Sequence, residues 1–209
     1  SISDIGDLQK RLFIVYTWDN NAQSSSFYVF DLGQDKIFSN DDRLNFVDVL
    51  PRAVRAPYAS LEMTRDGAGN QQLFWEKQTS TTDDVWNCDL PQCTNKNQVA
   101  IMNGQANTLV QIAPSLTQKR LFMASVDAQT MTTITIRSCA LTQAPDGCSL
   151  AEDKYTTHTT TTGLYNVRSV RDQGIMMTDF SKGHFFNIHT KKMVQLPAGI
   201  QEGGVIGNF

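Results

Sequence analysis

Residues 71–93, QQLFWEKQTSTTDDVWNCDLPQC, hold the outline from which the fold can be read. A run of strand length at 72–78 is followed by a polar turn, a second run at 84–90, and a short loop closed between two cysteines. Aromatic and β-branched residues suit a pleated, half-buried surface, while Ser, Thr and Asp suit the turn between strands. The stretch therefore reads as an antiparallel hairpin.

Three other segments share that outline. Towards the N-terminus, RLFIVY at 11–16 and FYVFDL at 27–32 flank a polar turn at 19–26, and KIF at 36–38 and a run at 46–50 follow before Pro51 interrupts. Pro51 and Pro57 flank a segment whose strand ends in the turn RDGAGN at 65–70. Towards the C-terminus, 99–102 is a short strand closed by Asn103-Gly104, 108–112 is apolar until Pro114 breaks it, and 120–126 pairs with the alternating run 132–139. Runs at 164–170, 174–180, 184–189 and 193–196 form the last group. Sustained helical periodicity is missing, the best exception being a turn or two over 41–48. The chain reads as all-β.

The groups repeat in their letters. Gln9-Lys10-Arg11-Leu12-Phe13 recurs intact at 118–122, with Gln72-Leu73-Phe74 as a degenerate copy between them. From leucine to leucine the steps are 61 and 48 residues, and Ile175 follows after 54 more. The second strands end alike in Phe30-Asp31-Leu32, Cys88-Asp89-Leu90 and Cys139-Ala140-Leu141. A period of about 50 residues with four short strands is the signature of a propeller blade. One twisted sheet has two faces to cover, and packing such sheets around an axis covers both. The expectation is a single all-β domain over 1–209, β-propeller-like with about four blades; a β-sandwich is the competing fold. Inner strands are expected at 109–112, 164–167 and 205–208, and outer strands at 36–38, 99–102 and 192–195. Residues 203–209 look like the inner strand of a fifth unit, which either closes a four-bladed ring or belongs to a larger propeller or longer protein.

A turn-rich Asp-Gly segment, a strand such as QLFW and a strand ending in Asp-Leu, clearest over 65–90, resemble the repeats of TolB-type and WD40-like β-propellers. The resemblance implies a propeller fold and carries over no functional residue, because the motif is structural. The cysteine loops and the uneven spacing depart from that pattern.

Composition bounds the partners and the compartment. With 18 Lys and Arg against 21 Asp and Glu the net charge is -3, so no global positive field gathers nucleic acid. No apolar run of about twenty residues exists, so no membrane insertion of this segment is expected. SISDIGDLQK lacks the basic and apolar regions of a signal peptide, so any export signal is expected to be removed or to lie elsewhere. The four cysteines form two local pairs, Cys88 with Cys93 and Cys139 with Cys148. Local even pairing reads as two disulfides, each worth roughly 2–3 kcal/mol through loop closure, rather than as a metal site. Disulfides imply an extracytoplasmic location: periplasmic, cell-surface or secreted.

Chemistry-bearing residues are sparse. His184 and His189 are expected on one strand with opposite facing, and His158 sits among threonines in TTHTTTT at 156–162, read as a polar exposed strand or loop. Asp41, Asp42, Asp66, Asp83, Asp84 and Asp146 are read as turn residues rather than as the paired acid and base of a glycosidase. No phosphate loop, nucleophile elbow or Ser-His-Asp set is legible, so no catalytic residue, metal ligand or cofactor is assigned. Arg52, Arg55, Tyr58 and Arg65 form the densest basic and aromatic cluster and are the candidate ligand-binding residues. Trp18, Trp75, Trp86 and Tyr28 are the large residues an interface would use, although core packing claims most of them first. The expected function is a noncatalytic module that presents loops to a protein partner or a small ligand. The alternatives are a propeller-type carbohydrate-binding protein or glycosidase, and the sensory ectodomain of a membrane-anchored regulator.

Overall fold

The computed structural model describes residues 2–3, 12–33, 43–51, 60–103, 107–127, 129–130, 132–141, 153–159, 166–170, 172–178 and 182–197. These form four antiparallel sheets of four strands, each a meander in chain order. The first sheet holds β1 (Ile2–Ser3), β2 (Leu12–Asp19), β3 (Ser24–Asp31) and β4 (Arg43–Pro51). The second holds β5 (Leu61–Arg65), β6 (Gln71–Gln78), β7 (Thr82–Asp89) and β8 (Lys96–Asn103). β9 (Asn107–Ser115), β10 (Arg120–Asp127), β11 (Thr133–Ala140) and β12 (Asp153–Thr159) form the third. β13 (Asn166–Val170), β14 (Gly174–Thr178), β15 (Gly183–Asn187) and β16 (Lys192–Gln195) form the fourth. The all-β expectation holds, and among the described residues no helix is long and apolar enough to cross a bilayer.

Three local expectations are corrected. The helical turn over 41–48 is strand β4 from Arg43 onward, while Asp41 and Asp42 lie outside the described residues. A bulge opposite Phe27 and Tyr28 inserts one extra residue, Val47, so the buried positions 47 and 50 fall three apart and imitate a helical stripe. Pro114 does not end its strand: β9 runs to Ser115 with Pro114 opposite Leu121. β9 is an edge strand, where a residue without an N–H is tolerated. His184 lies on β15, but His189 lies beyond that strand in the following turn, so the two do not share a strand. The expected strands at 36–38 and 205–208 lie outside the described residues, whereas 192–195 is β16 as expected.

Three apolar clusters join the sheets in sequence. Leu12, Ile14, Phe27, Val29 and Val47 of the first sheet meet Met63, Leu73, Trp75 and the sulfurs of Cys88 and Cys93. Phe74, Val85 and Ala100 on the other face of the second sheet meet Leu109, Leu121 and Met123. Phe122, Ala124 and Ile136 then meet Ile175, Met177 and Phe186 of the fourth. Burying each of the larger of these side chains, Val, Leu, Ile, Met or Phe, contributes roughly 1.5–3 kcal/mol, so the sheets are held mainly by what lies between them. Phe27 and Trp75 meet edge to face at 5.7 Å between centroids.

The repeat in the letters is only partly a repeat in space. Leu73, Leu121 and Ile175 each face the preceding sheet and pair across the ladder with Cys88, Cys139 and Phe186. Leu12 pairs instead with Asp31, and Phe13 with Phe30. Successive residues of a strand alternate faces, so a register offset of one residue turns the whole set over. Leu12 accordingly faces the following sheet, and Phe13 occupies the place held elsewhere by Leu73 and Leu121.

Candidate functional site

Each interface between sheets also carries a polar clasp. Between the first and second sheets, the Asp48 carboxylate accepts from Trp75 Nε1 at 3.0 Å and from Lys77 Nζ at 3.0 and 3.1 Å. The disulfide loop reinforces this contact from the side. Asn45 Nδ2 donates to the carbonyl of Pro91 at 3.0 Å, and Lys96 Nζ donates to the carbonyl of Val47 while lying 4.9 Å from the centre of the Phe46 ring. Lysine at the edge of β4 occupies a carbonyl that an edge strand would otherwise offer to another chain.

Between the second and third sheets lies the densest buried polar group of the described residues. Glu76, 1 % exposed, accepts from the Gln78 amide at 2.9 Å and from the backbone N–H of Ser60 at 3.3 Å. Gln111 Nε2 reaches Ser60 Oγ at 2.9 Å and Glu62 Oε1 at 2.7 Å, and Ser60 Oγ also accepts from the backbone N–H of Ile112. Asp83, fully buried, accepts the backbone N–H of Leu109 at 2.8 Å. A register shift in β9 beside Gln111 lets that side chain reach across to the second sheet. Carboxylates, amides and hydroxyl here largely satisfy one another, although Gln78 Oε1 has no partner. The arrangement fixes β5 and β7 against β9.

Between the third and fourth sheets, Ser115 Oγ donates to Asp172 Oδ1, Thr117 Oγ1 donates to Asp172 Oδ2 at 3.4 Å, and Gln118 Nε2 lies 3.3 Å from His189 Nδ1. A serine, an aspartate and a histidine do therefore come together, which the sequence had not indicated. Their order is wrong for nucleophilic catalysis: the hydroxyl is spent on the carboxylate, and the imidazole Nε2 meets the backbone carbonyl of Asp172 rather than Ser115.

Of the sequence-derived site residues, Arg52, Arg55 and Tyr58 lie outside the described residues, and Arg65 ends β5 opposite Gln71. Asp66 holds a turn, accepting the backbone N–H groups of Ala68 and Asn70 and the Asn70 amide at 2.9, 2.8 and 2.9 Å. The Asn70 side chain, followed by its backbone N–H, holds the Asp66 carboxyl below its usual value. Asp127 is lowered likewise by the Thr130 backbone N–H and hydroxyl. Asp83 and Asp84 are not turn residues but part of β7, which corrects the reading of the aspartate pairs. Asp146 lies outside the described residues, as does part of the threonine run; its first four residues are in β12. Among the described residues no group of three or more His, Cys, Asp or Glu could hold a metal ion.

Cys88 and Cys93 are bonded, with Cα atoms 4.9 Å apart. Cys139 is disulfide-bonded as well, and its expected partner Cys148 lies outside the described residues. Trp75 is core, as the sequence suggested, and Trp86 packs partly buried beside it. Trp18 is 51 % exposed at the end of β2, its Nε1 donating to Asn20.

The surface feature the sequence missed is apolar. Leu44, Phe46 and Val49 of β4 are 54, 48 and 39 % exposed. Leu44 and Phe46 stand opposite Phe30 and Tyr28, which stand opposite Phe13 and Val15, so one face of the first sheet is apolar across three strands. Tyr28 and Phe46 meet edge to face at 5.6 Å. The signal available in the sequence was the alternation of Leu44 and Phe46, masked by the bulge that follows them. Neither a protein-family model nor a curated protein matches the chain.

Proposed function

We propose that this chain is a noncatalytic, extracytoplasmic interaction module whose four sheets are blades of a β-propeller-like fold. The sequential packing of four meanders, each by one face on the sheet before and by the other on the sheet after, supports the blade reading. The Cys88–Cys93 disulfide supports an oxidising compartment. The observation that carries the functional reading is the exposed apolar face bearing Leu44, Phe46 and Val49. Contiguous exposed apolar surface marks contact sites, and aromatic side chains are favoured at their centres. Binding through a sheet face suits a protein partner better than a small ligand, which takes a concave pocket.

Photo-crosslinking tests this. A benzoylphenylalanine placed at Leu44 is expected to form a protein adduct in the native extracytoplasmic milieu, whereas one placed at exposed Thr130 is not. Binding of a defined sugar on a glycan array, with no adduct from position 44, would replace the reading with a carbohydrate-binding one.

A further inference from the structure

The described large apolar residues that remain exposed are Trp18, Leu44, Phe46, Val49 and Val194. Three of the five lie on the outward face of the first sheet and one on the outward face of the fourth. Val194 stands opposite Phe185, and Phe185 opposite the buried Met176, on the face turned away from the third sheet. A Cβ on Gly174 would come within 2.0 Å of the Phe186 carbonyl oxygen and 2.6 Å of the Phe185 ring, so a side chain at this position would displace both. Among the described residues no strand of the first sheet packs broadly against one of the fourth.

The three internal interfaces share one direction. Each sheet meets its predecessor through the face of Leu73, Leu121 or Ile175 and its successor through the opposite face. The outward face of the first sheet, with Phe13 in the leucine place, is a predecessor-type face; that of the fourth sheet, with Met176 next to Ile175, is a successor-type face. The two ends are complementary in the same sense as the joints already made inside the chain. An interface of this head-to-tail kind closes a ring when its rotation permits.

We propose that two copies of this chain close one ring of eight sheets, the fourth sheet of each packing on the first sheet of the other. The inference rests on the propeller-like reading and names the partner of its apolar face as a second copy. Four strands about 4.8 Å apart and five residues of about 3.3 Å give a face of roughly 300 Å² in projection. One such contact covers two faces, roughly 600 Å², short of what stable association needs, whereas a closed ring of two copies covers four, roughly 1,200 Å², at the threshold of stable interfaces. Area thus favours the closed pair over a single open contact. Eight sheets also lie within the range that propellers adopt.

Light scattering on the purified chain at micromolar concentration, during size-exclusion chromatography, decides the matter. The wild type is expected at twice the chain mass. Phe46→Asp and Val194→Asp are each expected to release monomer. Losing about 30-fold at each of two equivalent contacts raises the dimer dissociation constant about 1,000-fold. Trp18→Asp, away from both faces, should leave the dimer intact, and circular dichroism confirms that each variant remains folded. A monomeric wild type overturns the proposal; so does a Val194→Asp variant that stays dimeric while Phe46→Asp dissociates, because that pattern means first sheet on first sheet. A monomer that still crosslinks a foreign protein from position 44 removes the ring and leaves the interaction module standing. A dimer that binds a defined glycan does the reverse.

Discussion

Replacing Asp48 by alanine tests whether the first sheet is locked to the second as described. The carboxylate accepts Trp75 Nε1 at 3.0 Å, and Trp75 is fully buried, so its N–H has no water to turn to. Orphaning a buried donor costs about 1–3 kcal/mol. The Lys77 pair contributes less, since the side chains of Lys77 and Asp48 are 32 and 20 % exposed; screening limits it to about 0.5–1 kcal/mol. Asp48→Ala should therefore destabilise the chain by about 2–3 kcal/mol, read as a lower urea midpoint with an unchanged slope. In a thermal scan that corresponds to roughly 5–10 °C for a chain of this size. Asp48→Asn retains an acceptor for the indole and should cost about 1 kcal/mol. In a Trp75→Phe background, where the donor is gone, Asp48→Ala should cost about 1 kcal/mol or less, giving a coupling of about 1–2 kcal/mol. A cost below about 0.5 kcal/mol, or the same cost in both backgrounds, would refute the contact and with it the orientation of β4 on β6.

Two further outcomes follow from the same structure. Replacing both Cys88 and Cys93 by alanine opens a loop of six residues and should lower stability by roughly 2 kcal/mol on the loop-entropy relation, measured by urea unfolding; an unchanged midpoint would deny the bond a stabilising role. Asn70→Ala should raise the Asp66 carboxyl towards the usual 3.8, followed by NMR titration. Because the folded pKa is the lowered one, the stabilisation tied to this ionisation is present above 3.8 and fades as pH falls through the folded value, and the variant, which keeps the backbone donors, should lose part of that dependence.

The strands were legible because their cause is local. KMVQ at 192–195 and the runs that became β6 and β10 announce themselves by residue type and length, and Asp66 to Asn70 by turn chemistry. The facing of the strands was not legible. Gln9 to Phe13 and Gln118 to Phe122 are identical in letters, yet Leu12 and Leu121 face opposite neighbours, because ladder register is settled by pairing with the next strand and not by the letters of one. The bulge at Val47 hid β4 for a related reason: one unpaired residue breaks the alternation that marks a strand. Glu76 and Asp83 are acidic letters within strands, and nothing near them in the chain reveals that Ser60 and Leu109 will supply backbone donors to them.

The placing of those carboxylates explains why residues suited to catalysis serve packing instead. Apolar clusters draw sheets together but are non-directional, so two faces of similar composition could slide or rotate over one another. A carboxylate on one sheet with its donor on the next removes that freedom, because the hydrogen bond survives in only one relative position. Asp48 with Trp75 and Lys77, Asp83 with the N–H of Leu109, and Asp172 with Ser115 each do this at a different interface. Burying Asp83 costs desolvation that its hydrogen bonds must offset, so its net contribution to stability is small even where its loss would be severe. What such a group supplies is alignment. Among the four similar sheets that the described residues form, alignment is what distinguishes the native order of faces from the many near-equivalent stackings that hydrophobic burial alone would allow.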